Sequence, residues 1–255
     1  MPYAGLIHYR WYANGNQGKI PLVLIHGAGG TYLHWPAQVR HLAGENVLAL
    51  DLPGHGDSKG EGRETIEAYA PSVLEFMDQL NLERAVIAGH SMGSAIALRL
   101  SIDTPERVWA LILLGAGAKL GVNPALIEYA GRSESYPEAV SLVVRWAFSH
   151  RAEARLVELA RQRMLALPAN VLLSDFKACN NFDLRDRLTE IMQPALILCG
   201  EEDQMTPIRF SQYLAANVSD SRLQVVPKAG HMVMQEKPEA VANLIKDFLN
   251  ELPSG

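Results

Sequence analysis

Cysteine is nearly absent, with Cys179 and Cys199 the only two in 255 residues. Two thiols build no disulfide framework and no zinc site by themselves, so both are expected to be reduced. A basic excess is missing too: 23 Lys and Arg face 28 Asp and Glu, for a formal charge of -5. With no basic stripe to meet phosphates, the balance argues against a nucleic-acid partner. No uninterrupted apolar run is long enough to span a bilayer. The opening Met1-Pro-Tyr-Ala-Gly-Leu-Ile has no basic stretch leading into an apolar one, so neither a secretory signal nor a membrane anchor is expected, and the expected location is cytoplasmic. What is present is material for a large core, 48% apolar against 20% charged residues, as in a globular domain.

Short apolar runs alternate with stretches of helical spacing. Pro21–His26, Asn46–Asp51, Ala85–Gly89, Val108–Leu114, Ala195–Cys199 and Leu223–Val226 read as strands, apolar throughout because both faces must be covered. Gly5–Tyr12 alternates less clearly and suits an antiparallel edge. Tyr32–Ala43, Ile66–Leu80, Met92–Asp103, Ile208–Ala216 and Pro238–Leu249 read as helices. Repeated strand–helix units imply an α/β fold with right-handed crossovers and a parallel sheet. From about Lys119 to Arg187 no strand-like run occurs, while Val122–Ala130, Glu138–Ser149, Glu153–Ala166 and Ala169–Cys179 have helical patterns. A stretch of this length is not a plain loop. It predicts a helical cap at residues 119–187, inserted into a core formed by residues 1–118 and 188–255.

Gly89-His90-Ser91-Met92-Gly93 follows a strand and precedes a helix, the context of a nucleophile elbow. Such a turn forces the serine into an unfavourable backbone conformation and leaves no room for bulky neighbours. It exposes the hydroxyl at a helix N-terminus, where the Met92 N–H is unpaired. A serine hydroxyl needs a base, and His231, in the loop after the last strand, is the choice among eight histidines. His26 and His55 read as loop-fixing residues, and His90 is expected to point away from the chemistry. His8, His34, His41 and His150 have no companion acids at a helpful spacing. The imidazole needs an acid to hold its tautomer, and Asp203 is chosen over Glu201 and Glu202 in Gly200-Glu-Glu-Asp203. Loops at the C-terminal ends of parallel strands converge, which would bring Ser91, Asp203 and His231 together. The oxyanion of acyl transfer needs amide donors. Met92 supplies one and the His26–Gly30 loop the other, through Ala28 or, if the loop is shifted by one, Gly29. Gly29 and Met232 are expected to touch substrate, with Met234 a further candidate. No metal is expected.

Together these residues resemble the α/β-hydrolase superfamily. The resemblance rests on His26-Gly27, Asp51-Leu-Pro-Gly-His-Gly-Asp-Ser58, the elbow, Gly200-Glu-Glu-Asp203 and Gly230-His231, and covers nearly the whole chain outside the cap. It implies the α/β-hydrolase fold, a mostly parallel eight-stranded sheet flanked by helices with a helical cap after strand six. It also implies the roles assigned to Asp203 and Ala28, and a structural role for the loop of Asp51 and Asp57. Ser91 excludes the haloalkane dehalogenases and epoxide hydrolases, which use aspartate there. Carbon–carbon bond hydrolases of ring-cleavage products are similar in size and cap. Many of them carry Asn where His90 stands and Trp where Met232 stands.

The expected function is therefore a carboxylic ester hydrolase for small to medium acyl chains, working without a cofactor on a small-molecule ester through an acyl-enzyme. Lactonase, thioesterase and perhydrolase activities would use the same machinery. A small-molecule receptor that keeps the triad is the non-enzyme alternative. Leu120, Trp146, Phe148, Leu165 and Phe176 give the cap an apolar character that suits such a substrate. They are expected mainly as cap core rather than as substrate contacts.

Overall fold

The computed structural model describes residues 2–16 and 18–253. In chain order its elements are β1 (Tyr3–Ala4), β2 (Ile7–Ala13), β3 (Leu22–Ile25), α1 (Ala37–Arg40), β4 (Asn46–Leu50), α2 (Ile66–Gln79), β5 (Ala85–His90), α3 (Met92–Asp103) and β6 (Val108–Leu114). Then come α4 (Pro124–Ala130), α5 (Tyr136–Ala147), α6 (Ala154–Leu165), α7 (Ala169–Asn181), β7 (Ala195–Gly200), α8 (Ile208–Asn217), β8 (Ser221–Val226), α9 (Val233–Glu236) and α10 (Pro238–Glu251). The strands form one 8-stranded sheet in the order β1-β2-β4-β3-β5-β6-β7-β8. β1 and β2 pair antiparallel, as do β2 and β4, and every other neighbour is parallel.

The central strands are apolar at every position because each face is roofed. Val23 and Ile25 of β3 and Ile87 of β5 point into one core with Ile66, Val73 and Phe76 of α2 and Ile96 and Leu100 of α3. Their neighbours Leu22, Leu24, Val86 and Ala88 point into a second core with Val39, Val241, Ile245 and Phe248. The two-residue period of a strand sorts adjacent side chains into these two layers.

Between β6 and β7 the chain runs through α4 to α7. Asn123 caps α4 by accepting the Ala125 N–H, and Pro124 occupies its first turn, where a missing N–H costs nothing. In α5, Ala139, Val140, Val143, Val144 and Ala147 are buried in the second core, the spacing of one helix face.

Two local expectations fail. Tyr32–Ala43 is not one helix: a single 3-10 turn at Tyr32–His34 is separated from α1 by extended Trp35 and Pro36. Proline drives the preceding residue out of helical geometry, which explains the break. The short helix α9 directly after His231 was not anticipated. Among the described residues, no helix is long and apolar enough to cross a membrane.

Candidate active site

The strand order reverses between β3 and β5, because the chain moves outward to β4 on one side and to β6 on the other. A crevice opens at the C-terminal ends of strands at such a point. Ala28 follows β3, Ser91 follows β5, Asp203 follows β7 and His231 follows β8, so the four share that edge.

Ser91 has φ 53° and ψ -115°, a conformation that side-chain-bearing residues rarely adopt and that costs on the order of 1–3 kcal/mol. Its flanking glycines are dictated by contact. A Cβ on Gly89 would run into the backbone of Gly93 and Ser94, and one on Gly93 into the carbonyls of Ile25 and His26. The turn is held by Ser91 N–H donating to Leu114 O at 2.8 Å and by the Ser94 hydroxyl donating to Ser91 O at 2.6 Å. Met92 opens α3, and among the described residues neither its amide nor that of Ala28 has an acceptor.

Asp203 is a buried carboxylate with four donors. Oδ1 accepts the Met205 and Thr206 amides at 2.9 and 2.8 Å, and Oδ2 accepts the Thr206 hydroxyl at 2.9 Å and His231 Nδ1 at 2.8 Å. Burial alone would raise its pKa, but the charge of His231 and the bonds from His231 and Thr206 outweigh it and hold the carboxyl below its usual range. An ionised Asp203 fixes the proton on His231 Nδ1, leaving Nε2 as an acceptor. Nε2 is buried and has no partner among the described residues.

The other histidines follow expectation only in part. His26 is structural, accepting the Leu52 amide at Nε2 (3.0 Å) and donating from Nδ1 to Gly27 O (2.8 Å). His90 does not point away: its ring lies 4.8 Å from that of His231, and Nε2 donates to His231 O at 3.1 Å. Burial, then the charge of His231, pushes its pKa well down, so it packs as a neutral brace. His34 is also buried, and burial together with Arg163 pushes it down to about 3. His8 does have a companion acid, Asp51, at 2.7 Å, and exposed His150 pairs with Glu202 at 2.8 Å. These partners lie 43 and 52 residues away in sequence, beyond any local spacing. Asp51 holds its loop together, as expected, also accepting the Tyr32 amide at 2.7 Å.

Two cavities meet at Ser91. The larger, about 350 Å³, is lined by Leu120, Val122, Leu126, Trp146 and Phe176, with Asn123, Gln204 and Thr206 as polar members. The smaller, about 40 Å³, is lined by His231, Met232, Val143, Phe148, Met164 and the histidines 34 and 90 among others. Ala28, Phe176 and Met205 border both, and neither has a Lys or Arg in its wall. Of the five apolar residues expected mainly in the core of the inserted helices, all but Leu165 line one cavity or both. They do so because α4 to α7 lie over the crevice. Gly29, expected to touch substrate, lines neither cavity, and its N–H donates instead to Asp175 Oδ2 at 2.8 Å. Met234 is buried within α9 and reaches neither.

The loop carrying His231 is clipped to the inserted helices. Met232 N–H donates to Ala147 O at 3.0 Å, while Glu236 accepts the Gly230 amide at 2.9 Å and the Ser149 hydroxyl at 2.5 Å. Sequence reasoning passed over Thr206, although an aspartate commonly accepts the backbone amides just after it, as Asp203 Oδ1 does from Met205 and Thr206. Among the described residues, no three metal-ligating side chains converge.

A family match links this architecture to known proteins: residues 22–244 match the "Alpha/beta hydrolase family". The chain is 32% identical over 255 residues to the dihydrolipoyllysine-residue acetyltransferase component of the acetoin cleaving system of Pseudomonas putida, aligning 95% of this chain with 66% of that relative's length. It is 28% identical to the 2-hydroxy-6-oxononadienedioate/2-hydroxy-6-oxononatrienedioate hydrolase of Comamonas testosteroni, covering 96% of this chain and 93% of that one. Among solved structures, the enol-lactonase from Burkholderia xenovorans LB400 superposes with a TM-score of 0.90 at 27% identity, over 98% of this chain and all (100%) of the other.

Proposed function

Since the chain belongs to the alpha/beta hydrolase family, we propose that it is a serine hydrolase of neutral carboxylic esters, with Ser91 as nucleophile, His231 as base and Asp203 as its orienting acid. The observation that carries this reading is the buried, partnerless Nε2 of His231 in a chamber that Ser91 also lines. His231 takes the Ser91 proton as the hydroxyl attacks the ester carbonyl, and the tetrahedral oxyanion rests on the Ala28 and Met92 amides. The alcohol leaves with the proton from Nε2, and water repeats the cycle on the acyl-enzyme.

The leaving alcohol must lie within reach of His231 Nε2. His231 walls the 40 Å³ chamber and not the 350 Å³ one, which supports a small alcohol in the former and the acyl chain in the latter. At roughly 10–15 Å³ for each water-sized group, the small chamber suits a methyl or ethyl group. The cap role of α4 to α7 belongs to the same proposal: they roof the acyl chain.

The dienedioate hydrolase similarity favours a second reading, carbon–carbon bond cleavage. Substrates of that kind carry carboxylates, and a carboxylate desolvated against walls with no Lys or Arg is costly. That difference ranks the ester first. The test is ethyl hexanoate hydrolysis by the wild-type protein and by Ser91→Ala, beside a coloured dienoate. Ester turnover abolished in the variant is the expected result; wild-type rates in Ser91→Ala, or rapid dienoate loss with little ester turnover, would overturn it.

A further inference from the structure

Asp175, in the middle of α7, is fully buried and takes no part in the chemistry proposed above. Yet it gathers three partners from three distant segments. Oδ2 accepts the Gly29 amide at 2.8 Å and faces His55 Nε2 at 2.8 Å, and Oδ1 accepts the Tyr69 hydroxyl at 2.6 Å. Two of these bind a helix and a turn of the core. The third binds the peptide immediately after Ala28.

The geometry of that loop leaves little freedom. The peptide joining Gly27 to Ala28 is planar and trans, so its N–H points opposite to its C=O. The Gly27 carbonyl is held by His26 Nδ1 at 2.8 Å and by the Gly30 amide at 3.1 Å. The following N–H, of Gly29, is held by Asp175. The Ala28 amide is thus fixed from both sides, and the second anchor comes from the inserted helices rather than from the core. Gly29 has φ +64°, and a Cβ there would meet Leu172 Cδ1 at 2.9 Å and Met164 at 3.1 Å, so α6 and α7 sit directly on the loop.

Stability alone is a poor explanation for this carboxylate. A buried ion pair repays its desolvation only marginally, and apolar side chains of similar volume often do as well. Only an acceptor at this position, however, can take the Gly29 N–H.

We infer that Asp175 is a positioning residue that aims the Ala28 amide at the oxyanion and ties completion of the oxyanion site to docking of the inserted helices. The inference rests on the serine-hydrolase reading above. Two substitutions separate it from a merely structural role. Asp175→Asn keeps an acceptor oxygen for Gly29 and can turn its amide NH2 toward the Tyr69 oxygen. Asp175→Leu keeps the shape and removes the acceptor. Both lose the charge facing His55, so both should lower the melting temperature.

With ethyl hexanoate as substrate, Asp175→Leu is expected to lower kcat about a hundredfold with KM changed less than about threefold, as for a lost oxyanion donor. Asp175→Asn is expected to keep kcat within about fivefold of wild type. If Asp175→Leu does not fold, the double variant with His55→Gln, which leaves no buried cation stranded, takes its place. Wild-type kcat in the leucine variant, or parallel kcat losses in both variants that track their melting temperatures, would overturn the inference. Ser91→Ala is the reference: if it hydrolyses the ester at the wild-type rate, the serine-hydrolase reading itself is wrong. If it is inactive while Asp175→Leu is not, only the role of Asp175 fails.

Discussion

The Thr206 hydroxyl donates to Asp203 Oδ2 at 2.9 Å, the same oxygen that accepts the Nδ1–H of His231 at 2.8 Å. The hydroxyl thus braces the carboxylate beside the imidazole, 3.2 Å from His231 Nδ1. Thr206→Val keeps the shape and deletes that donor. A hydrogen bond to a charged group is worth about 1.5–3 kcal/mol. The variant should lose about tenfold or more in kcat on ethyl hexanoate, with KM little changed. An unchanged kcat would show that Asp203 needs no such brace.

Chamber sizes predict a preference between isomers. Ethyl hexanoate puts its small group beside His231, whereas hexyl acetate would need the longer chain in the 40 Å³ space. Overfilling a packed site typically costs about 1–3 kcal/mol, so kcat/KM should favour ethyl hexanoate by roughly tenfold or more. Titrating the released acid for both esters reads this directly, and equal rates would refute the assignment of chambers.

Gly115, just beyond β6, has φ +53°, and a Cβ there would lie 2.8 Å from His231 Cε1 and 2.9 Å from Nδ1. Gly115→Ala should push the imidazole off its position. A shift approaching 1 Å costs up to about a hundredfold in rate. The expected result is a kcat loss of about ten- to a hundredfold in a protein that still unfolds cooperatively.

His55 gives the fold a pH signature. Burial lowers its pKa, but the charge and hydrogen bond of Asp175, with Pro53 O and Asp51 assisting, outweigh this and raise it above the ordinary value. Asp175, Asp51, the neighbouring rings of His26 and Tyr69, and His34 are the titratable groups that face it. A raised histidine pKa means that the folded state binds the proton more tightly than the unfolded chain. The resulting stabilisation is complete below about pH 6.5 and fades as pH rises through the folded-state value. Melting temperatures of wild type and His55→Gln, taken from pH 6 into the alkaline range, should therefore converge as pH rises. A constant gap would show that His55 carries no raised pKa.

The serine turn, the strand sequence and the four inserted helices were legible because each is a local pattern: small residues around Ser91, apolar runs, helical spacing. The bonds that finish the site were not. The Gly29 amide meets Asp175 across 146 residues of chain, and His90 meets the His231 carbonyl across 141. No spacing rule reaches that far. The expected helix at Tyr32–Ala43 failed for a local reason, Pro36, that its apolar pattern concealed. Leu120, Phe148 and Phe176 were legible as core, but not as cavity walls too, because burial against a core and burial against a cavity give the same hydrophobic signal.

The clip of Glu236 to Ser149, together with that of Asp175 to Gly29, has a consequence for recombination. Transplanting residues 119–187 from a relative would cut two seams at once, one at the histidine loop and one at the glycine-rich loop. A chimera matched for cavity shape alone would inherit a mis-set machine. One that also carries the donor and acceptor at both seams would be free to trade its acyl chamber for another.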